Sequence, residues 1–513
     1  MQRIILFILF LFSWSIPVSA DDEARYASVD RHALQAPPSA TKSVAVLSSY
    51  LTKPFTTDEE KARAIFRWIT ENISYDVEAF FSGRMTISGS DNVLISHSSV
   101  CEGYSSLFEA LCRKAGLNVI TIGGFAKGYF YKAGDKVTGE SNHAWNAVKI
   151  KGEWKLIDCT WGAGTVDNQH NYIKAFEPYY FFTKPEEFIY RHLPTQKRWQ
   201  LLPKSVSLQE FQNLPLVSPP FFQNGLTLKV SQTVQLDVDG DSTLELSVPP
   251  GLLCTANLEQ NGKEVTSAVF LQRSDSIAQV RIKPPGRGEY ILNIFIGKGN
   301  DAELLPQAIS FKIIAHSEAI QNNVFPFTYR TYMERKAELR SPFTKDLPSG
   351  SLQIFVLKAP GAEKVAVACG EEMDILKKVG SQFEGTVEID IGKVIVYGQY
   401  PGKKEFQALL EYTGTGNMKR TPRPVKYERF IDSRMELLSP LKKELPAGSE
   451  QLFRLKVPGA RKVAVVLGEN WEYLDNNGTY FEGTVDVGKG KIMVVGAFFS
   501  TTYFEGLLEY EGK

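Results

Sequence analysis

A thiol, an imidazole and a carboxylate stand in that order along this chain, at Cys101, His143 and Asp158. A cysteine activated by a histidine whose ring is held by a carboxylate is the equipment of acyl transfer through a thioester. His143 opens the run His143-Ala144-Trp145-Asn146-Ala147-Val148-Lys149-Ile150; a Lys151-Gly152 turn follows, and Glu153-Trp154-Lys155-Leu156-Ile157-Asp158 returns. Two alternating runs about a two-residue loop predict a β-hairpin. That loop sets Ile150 opposite Glu153 and hence Trp145 opposite Asp158. Side chains alternate with period two, so His143 shares the face of Trp145. His143 and Asp158 then become diagonal cross-strand neighbours, roughly 7–8 Å apart at the backbone and within side-chain reach. A one-residue slip would part them, so the pairing depends on register.

The cysteine needs a helix. Tyr104, Leu107, Phe108, Leu111, Cys112 and Ala115 recur at helical spacing, with Gly116 where a C-terminal cap belongs and Ser98 or Ser99 as the expected N-cap. Cys101 falls in the first turn, facing whatever the helix packs against. Helix-terminal N–H groups and a nearby imidazolium favour its thiolate, settings that bring a cysteine pKa to roughly 3.5–7.5. Cys112 reads as a small core residue, and Cys159 points to the face opposite Asp158 and is expected to be buried. His97 and His170 are rival bases without a carboxylate at a defensible spacing and read as loop histidines. His32, His192 and His316 have no constellation around them. Trp145, Trp161 and Tyr104 are candidate substrate contacts, with aromatic wall or core as the competing reading, which also covers Trp154. The Cys101 N–H is one oxyanion donor; neither Trp68 nor Tyr75 is singled out as the second.

The motifs Val100-Cys101-Glu102-Gly103-Tyr104-Ser105, His143-Ala144-Trp145-Asn146-Ala147-Val148 and Gly152-Glu153-Trp154-Lys155-Leu156-Ile157-Asp158-Cys159-Thr160-Trp161 resemble the transglutaminase-like superfamily. Within it the chain is similar to the kyphoscoliosis-peptidase-type branch, a transglutaminase-like core followed by β-sandwich modules. The resemblance covers roughly residues 45–205 with high specificity and the remainder more loosely. It implies a papain-like α+β core with the nucleophile helix packed on an antiparallel sheet. It also puts the family's catalytic residues on Cys101, His143 and Asp158. The family includes amide-crosslinking enzymes, peptidases and members without catalysis.

The 513 residues are enough for three to five domains. Lysine plus arginine equal aspartate plus glutamate at 58 each, which argues against nucleic acid as a standing partner. Arg3, the apolar run Ile4–Trp14 and the small-residue ending Val18-Ser19-Ala20 predict a secretory signal peptide over residues 1–20, hence a secreted or periplasmic protein. No later apolar run is long enough to span a bilayer. The 5 cysteines form no evident disulfide framework; Cys112 with Cys159 is the one pairing to test.

Residues 21–54 read as a polar, irregular N-terminal extension before a catalytic domain at 55–205. Thr57 with Glu60 forms a capping box ahead of an amphipathic helix marked by Ala62, Ile65, Phe66, Ile69 and Ile73. Residues 128–142, rich in Gly, Lys and Tyr, read as a loop at the cleft mouth, and the aromatic stretch Pro178–Leu202 closes the domain. Beyond it, short apolar alternations broken by Pro-Pro-Gly (249–251), Asn-Gly (261–262) and Pro-Pro-Gly-Arg-Gly (284–288) predict an all-β sandwich over 206–316. Asp237-Val238-Asp239-Gly240-Asp241 reads as a hairpin turn, because the closing Glu of a calcium loop is missing.

The C-terminal portion repeats itself. Residues 341–412 placed on 439–510 without gaps give 36 identities in 72 positions, which predicts two duplicated immunoglobulin-like sandwiches, 325–413 and 425–513, joined by Gly414–Pro424. The expected fold class is therefore an α+β papain/transglutaminase-like core followed by three all-β modules. No titratable cluster appears in both copies of the repeat, so both read as spacers or surfaces docking another protein or a wall polymer.

The chemistry expected is thiolate attack on an amide of a protein or peptide substrate, with hydrolysis favoured over crosslinking because nothing points to an acceptor-lysine site. No metal or other cofactor is required, and no ligand set for the calcium of animal transglutaminases is visible. The alternative from another class is a non-catalytic binding scaffold.

Overall fold

The computed structural model describes residues 20–83, 89–228, 233–298, 305–318, 324–370, 372–403, 405–418, 422–432, 435–499 and 501–513. Apart from Ala20, the expected leader lies outside them. The chain divides into two compact units, Met1–Gln321 and Asn322–Lys513.

The described part of the first unit opens with three α-helices: α1 (Ala20–Leu34), α2 (Val44–Thr52) and α3 (Asp58–Asn72). Residues 21–54 were expected to be irregular, and the structure corrects this. Tyr26, Val29 and Ala33, then Val44, Leu47 and Leu51, are buried at helical spacing in the same core as α3. The α3 capping box is present in full, with Glu60 N–H donating to Thr57 Oγ1 and Thr57 N–H donating to Glu60. Ala62, Ile65, Phe66, Ile69 and Ile73 are all buried.

Helix α4 (Cys101–Lys114) carries the cysteine at its first residue. Its N-cap is Val100, without a side-chain cap; Ser98 and Ser99 instead pair as a short strand with Ser74 and Tyr75, so neither caps the helix as expected. Gly116, in the left-handed region at φ +80°, ends the helix as anticipated.

Five antiparallel strands complete the core: β1 (Val119–Ala126), β2 (His143–Ile150), β3 (Glu153–Ile157), β4 (Phe181–Thr183) and β5 (His192–Pro194). Their order across the sheet is β4-β3-β2-β1-β5. The hairpin has the expected register, Ile150 opposite Glu153 and Asn146 opposite Ile157. Lys151 and Gly152 both take positive φ, 49° and 90°, as a two-residue turn of this twist requires. Helix α4 packs on β2, so the sheet and the helix present their functional residues to one another.

A β-sandwich follows in the same unit, with a six-stranded sheet against a four-stranded one and a continuous apolar core between them. Asn261-Gly262 is a two-residue hairpin turn joining Gln260 to Lys263. Asp237–Asp241 is not a hairpin turn. The strand before it pairs with residues 312–315 in one sheet, and the strand after it lies in the other, so this turn crosses between sheets. Its carboxylates are engaged by His316, Ser317 and Arg281.

The second unit holds the duplicated sandwiches. Each copy has the same pair of sheets, six strands against four, in the same strand order. Equivalent tyrosines bond equivalent carbonyls: Tyr412 Oη donates to the Pro342 carbonyl at 2.9 Å, and Tyr510 Oη to that of Pro440 at 3.0 Å.

Candidate active site

The hairpin ladder ends at Asn146–Ile157, and there Asp158 leaves the sheet to cap helix α5 (Cys159–Ala163). Asp158 Oδ1 accepts from the N–H groups of Thr160 at 2.9 Å and Trp161 at 3.0 Å. These bonds fix the carboxylate and leave Oδ2 for the sheet. His143 Nε2 lies 2.7 Å from Oδ2, so its other ring nitrogen, Nδ1, is free for the sulfur. The Cys101 thiol lies close enough to the His143 ring and the Ala144 N–H for both to favour its ionised form. The three residues predicted from spacing therefore form one chain of contacts.

Electrostatics follow from that chain. Burial raises the Cys101 thiol pKa, but the hydrogen bond and charge of His143 and the Ala144 amide outweigh it, and the net shift is downward. Burial likewise opposes charge on His143, yet Asp158 and then Cys101 win, and the imidazolium is held up to about pH 10. Asp158 is fully buried, which alone would protonate it; His143 and His192 instead hold it well below the usual carboxylate range. Both shifts run in the direction that favours a thiolate–imidazolium pair. Cys112 and Cys159 differ: burial pushes both thiols far up. All five cysteines are free thiols.

Not every predicted contact belongs to the cleft. Tyr104 is buried in the helix core and donates to the Ile73 carbonyl at 2.8 Å. Trp145 is also sealed, under Phe188 and His192. Neither faces substrate, which corrects that expectation: the stripe that buries the helix includes Tyr104, and the sheet face that carries His143 continues under the domain. Trp161 is only partly buried, with its ring 5.3 Å from that of His143, and remains the aromatic wall of the site. Trp154 packs on Trp199. His97 bonds the Asn72 carbonyl and His170 stacks on Phe81, both away from the triad. Tyr75 is the phenol whose titration feels the Cys101 charge, after burial, and both keep it protonated.

His192 has no constellation around it in the sequence, and the structure corrects this by giving it one. His192, on edge strand β5, bonds the same oxygen of Asp158 as His143, at 3.0 Å. Antiparallel pairing of Ala126 with His192 carries it there. His143, Asp158 and His192 are the one group among the described residues whose donor atoms converge closely enough to hold a metal ion, within 4.8 Å of one another. Their hydrogen bonds to each other account for that convergence.

The match to known families falls on these residues. Residues 46–159 match the family model of the Transglutaminase-like superfamily, and residues 208–327 match the KY-like, immunoglobulin-like domain. The chain carries a transglutaminase-like domain followed by a KY-like immunoglobulin-like domain. The chain is 28% identical to the kyphoscoliosis peptidase of Homo sapiens over 491 residues, 90% of this chain and 73% of that protein. To the kyphoscoliosis peptidase of Mus musculus it is 27% identical over 463 residues, 85% of this chain and 69% of the other. Hillarin of Drosophila melanogaster is 29% identical over 323 residues, 57% of this chain and 39% of its own. The transglutaminase-like match contains Cys101, His143 and Asp158 and ends before His192.

Proposed function

We propose that this chain is a cysteine acyl-transfer enzyme that cleaves amide bonds of protein or peptide substrates. The observation that carries the reading is the buried His143–Asp158 hydrogen bond with the part-exposed Cys101 thiol close enough to His143 for its ionisation to depend on that ring. The Cys101 thiolate adds to the amide carbonyl, and the oxygen takes the negative charge near the Cys101 N–H at the start of α4. His143 gives its proton to the departing amine as the C–N bond breaks, leaving a thioester on Cys101. Neutral His143 then takes a proton from water; the hydroxide adds to the thioester, the acid departs, and the thiolate–imidazolium pair returns.

The same thioester can be taken by a second amine, which would make a crosslink. Hydrolysis is favoured because no acceptor-lysine site was found in the sequence. A glutamine-containing peptide library incubated with a labelled primary amine decides between the two: new peptide termini, or glutamine converted to glutamate within the peptides with release of ammonia, in an unlabelled pool supports hydrolysis, and label incorporation supports crosslinking. Absence of either, with no acyl adduct on Cys101 by mass spectrometry, favours a binding scaffold. Export through cleavage after Ala20 is part of the proposal, and an N-terminal sequence beginning at Asp21 on the mature protein tests it.

A further inference from the structure

Asp158 is saturated. A carboxylate offers about four lone-pair sites, and here two backbone N–H groups take Oδ1 while two imidazoles share Oδ2. His192 is held flat against Phe188, ring centroids 3.8 Å apart and planes 14° from parallel, with Trp161 at 4.3 Å and Trp145 at 5.1 Å. Such packing leaves its ring one orientation. To bond a carboxylate oxygen, Nε2 must carry the proton. Nδ1 is buried with no protein partner, as is Arg191 Nε. Both residues line a cavity of about 10 Å³, the room of a single water, which Val217, Ser218 and Pro219 also line. The charged and titratable groups around His192 are Asp158, His143 and Arg191, with Tyr179, Tyr180 and Glu187 also lining the cavity.

We propose that His192 is a positioning residue of the acyl-transfer site: as a neutral imidazole it donates Nε2–H to the Asp158 oxygen that also holds His143, and so sets how much of the carboxylate charge the Cys101–His143 pair feels. This rests on the acyl-transfer reading above. Burial keeps the ring neutral, lowering its titration to about pH 4 against the pull of Asp158. A donor that shares Oδ2 draws charge away from His143. Without it Asp158 acts more strongly on both members of the pair, which raises the pH at which Cys101 ionises and the pH at which His143 loses its proton.

The test is the pH window of rapid Cys101 alkylation by iodoacetamide in the full chain. His192→Phe keeps a ring on Phe188 and removes the donor; His192→Gln keeps a donor N–H near the position of Nε2. The phenylalanine variant is expected to move both edges of the window upward by about one pH unit, the size of one hydrogen bond to a charged group. The glutamine variant is expected to restore the wild-type window. An unmoved window in His192→Phe overturns the proposal, whatever the labelling rate within it; so does an equal shift in both variants. The wild-type chain supplies a further check that needs no variant to fold. Its imidazole ¹⁵N spectrum should show His192 neutral and protonated on Nε2 at pH 6, and a cationic ring or an Nδ1–H tautomer contradicts the proposal. Slow Cys101 labelling in wild type would sink the acyl-transfer reading and this one with it, whereas fast labelling with an unmoved variant window sinks this one alone.

Discussion

His143 and Asp158 meet at 2.7 Å past the last ladder pair of their hairpin, three residues before Asn146 on one strand and one residue after Ile157 on the other, where the second strand gives way to a helix cap. The turn into α5 does what the sheet alone does not: it rotates the carboxylate toward the histidine and pins its other oxygen with two amides. Removing the charge while keeping the shape tests this. Asp158→Asn should lower acylation by about 10²–10⁴-fold, because the imidazolium loses its counter-charge and the ring its enforced tautomer. Single-turnover thioester formation measures the loss; a change under threefold would mean that Asp158 only caps the helix.

Acid should unfold the first unit through the same cluster. His192 titrates at about 4 in the fold against 6.5 unfolded, so the unfolded chain binds more protons between those values and stability falls as pH falls through them. Asp158, depressed in the fold, adds stability that is present above pH 3.8 and lost below it. His143, raised to about 10, contributes fully below pH 6.5 and loses its contribution as pH climbs to 10. His192→Gln cannot titrate, so its melting temperature should gain on wild type as pH drops from 6.5 to 4. Parallel melting curves across that range would contradict the assignment.

Lys127 is wholly buried, its ammonium donating to the Leu214 carbonyl at 2.7 Å between the Tyr131 and Phe211 rings. Burial, aided by Arg191, lowers its titration from 10.5 to about 7. Between these values the unfolded chain holds more protons, so stability should rise with pH across that interval. Lys127→Met should abolish this rise and melt at pH 7 no lower than wild type, since a buried charge without a counter-ion costs more than an apolar side chain of similar size. A lower melting temperature in the variant at pH 7 would show that the bond to Leu214 outweighs burial.

Gly124 sits where β1 meets β5. A Cβ there would stand 2.4 Å from the Leu193 carbonyl oxygen and 2.5 Å from the Trp145 ring. The first obstacle is backbone and cannot yield without moving the strand that carries His192. Gly124→Ala should cost about 1–3 kcal/mol by overpacking and slow Cys101 alkylation as well. Denaturant unfolding and labelling of the same sample check both halves.

The sequence made the triad legible because its hardest geometric step is local. A Lys-Gly turn and period-two alternation place His143 by Asp158, and helical spacing turns Cys101 toward the sheet. The duplicated sandwiches were equally open to reading, since identity at fixed offset needs no structure. His192 was not. It lies 34 residues beyond Asp158 on a three-residue edge strand, and only the pairing of Ala126 with His192 brings it in. The N-terminal helices had a usable signal, Tyr26-Val29-Ala33 and Val44-Leu47-Leu51, split into two short runs by the Pro37-Pro38 break between them. The same stripe that located α4 also assigned Tyr104 to the core, so its substrate role conflicted with the periodicity that found it.

The most direct measurement compares alkylation of the free thiols at pH 6, where an ordinary thiol is almost wholly protonated. Iodoacetamide followed by peptide mapping should label Cys101 at least tenfold faster than Cys112 or Cys159, and His143→Ala should remove that preference. Equal, slow labelling of all three in the wild-type chain would contradict a thiolate at Cys101 and with it the enzymatic account.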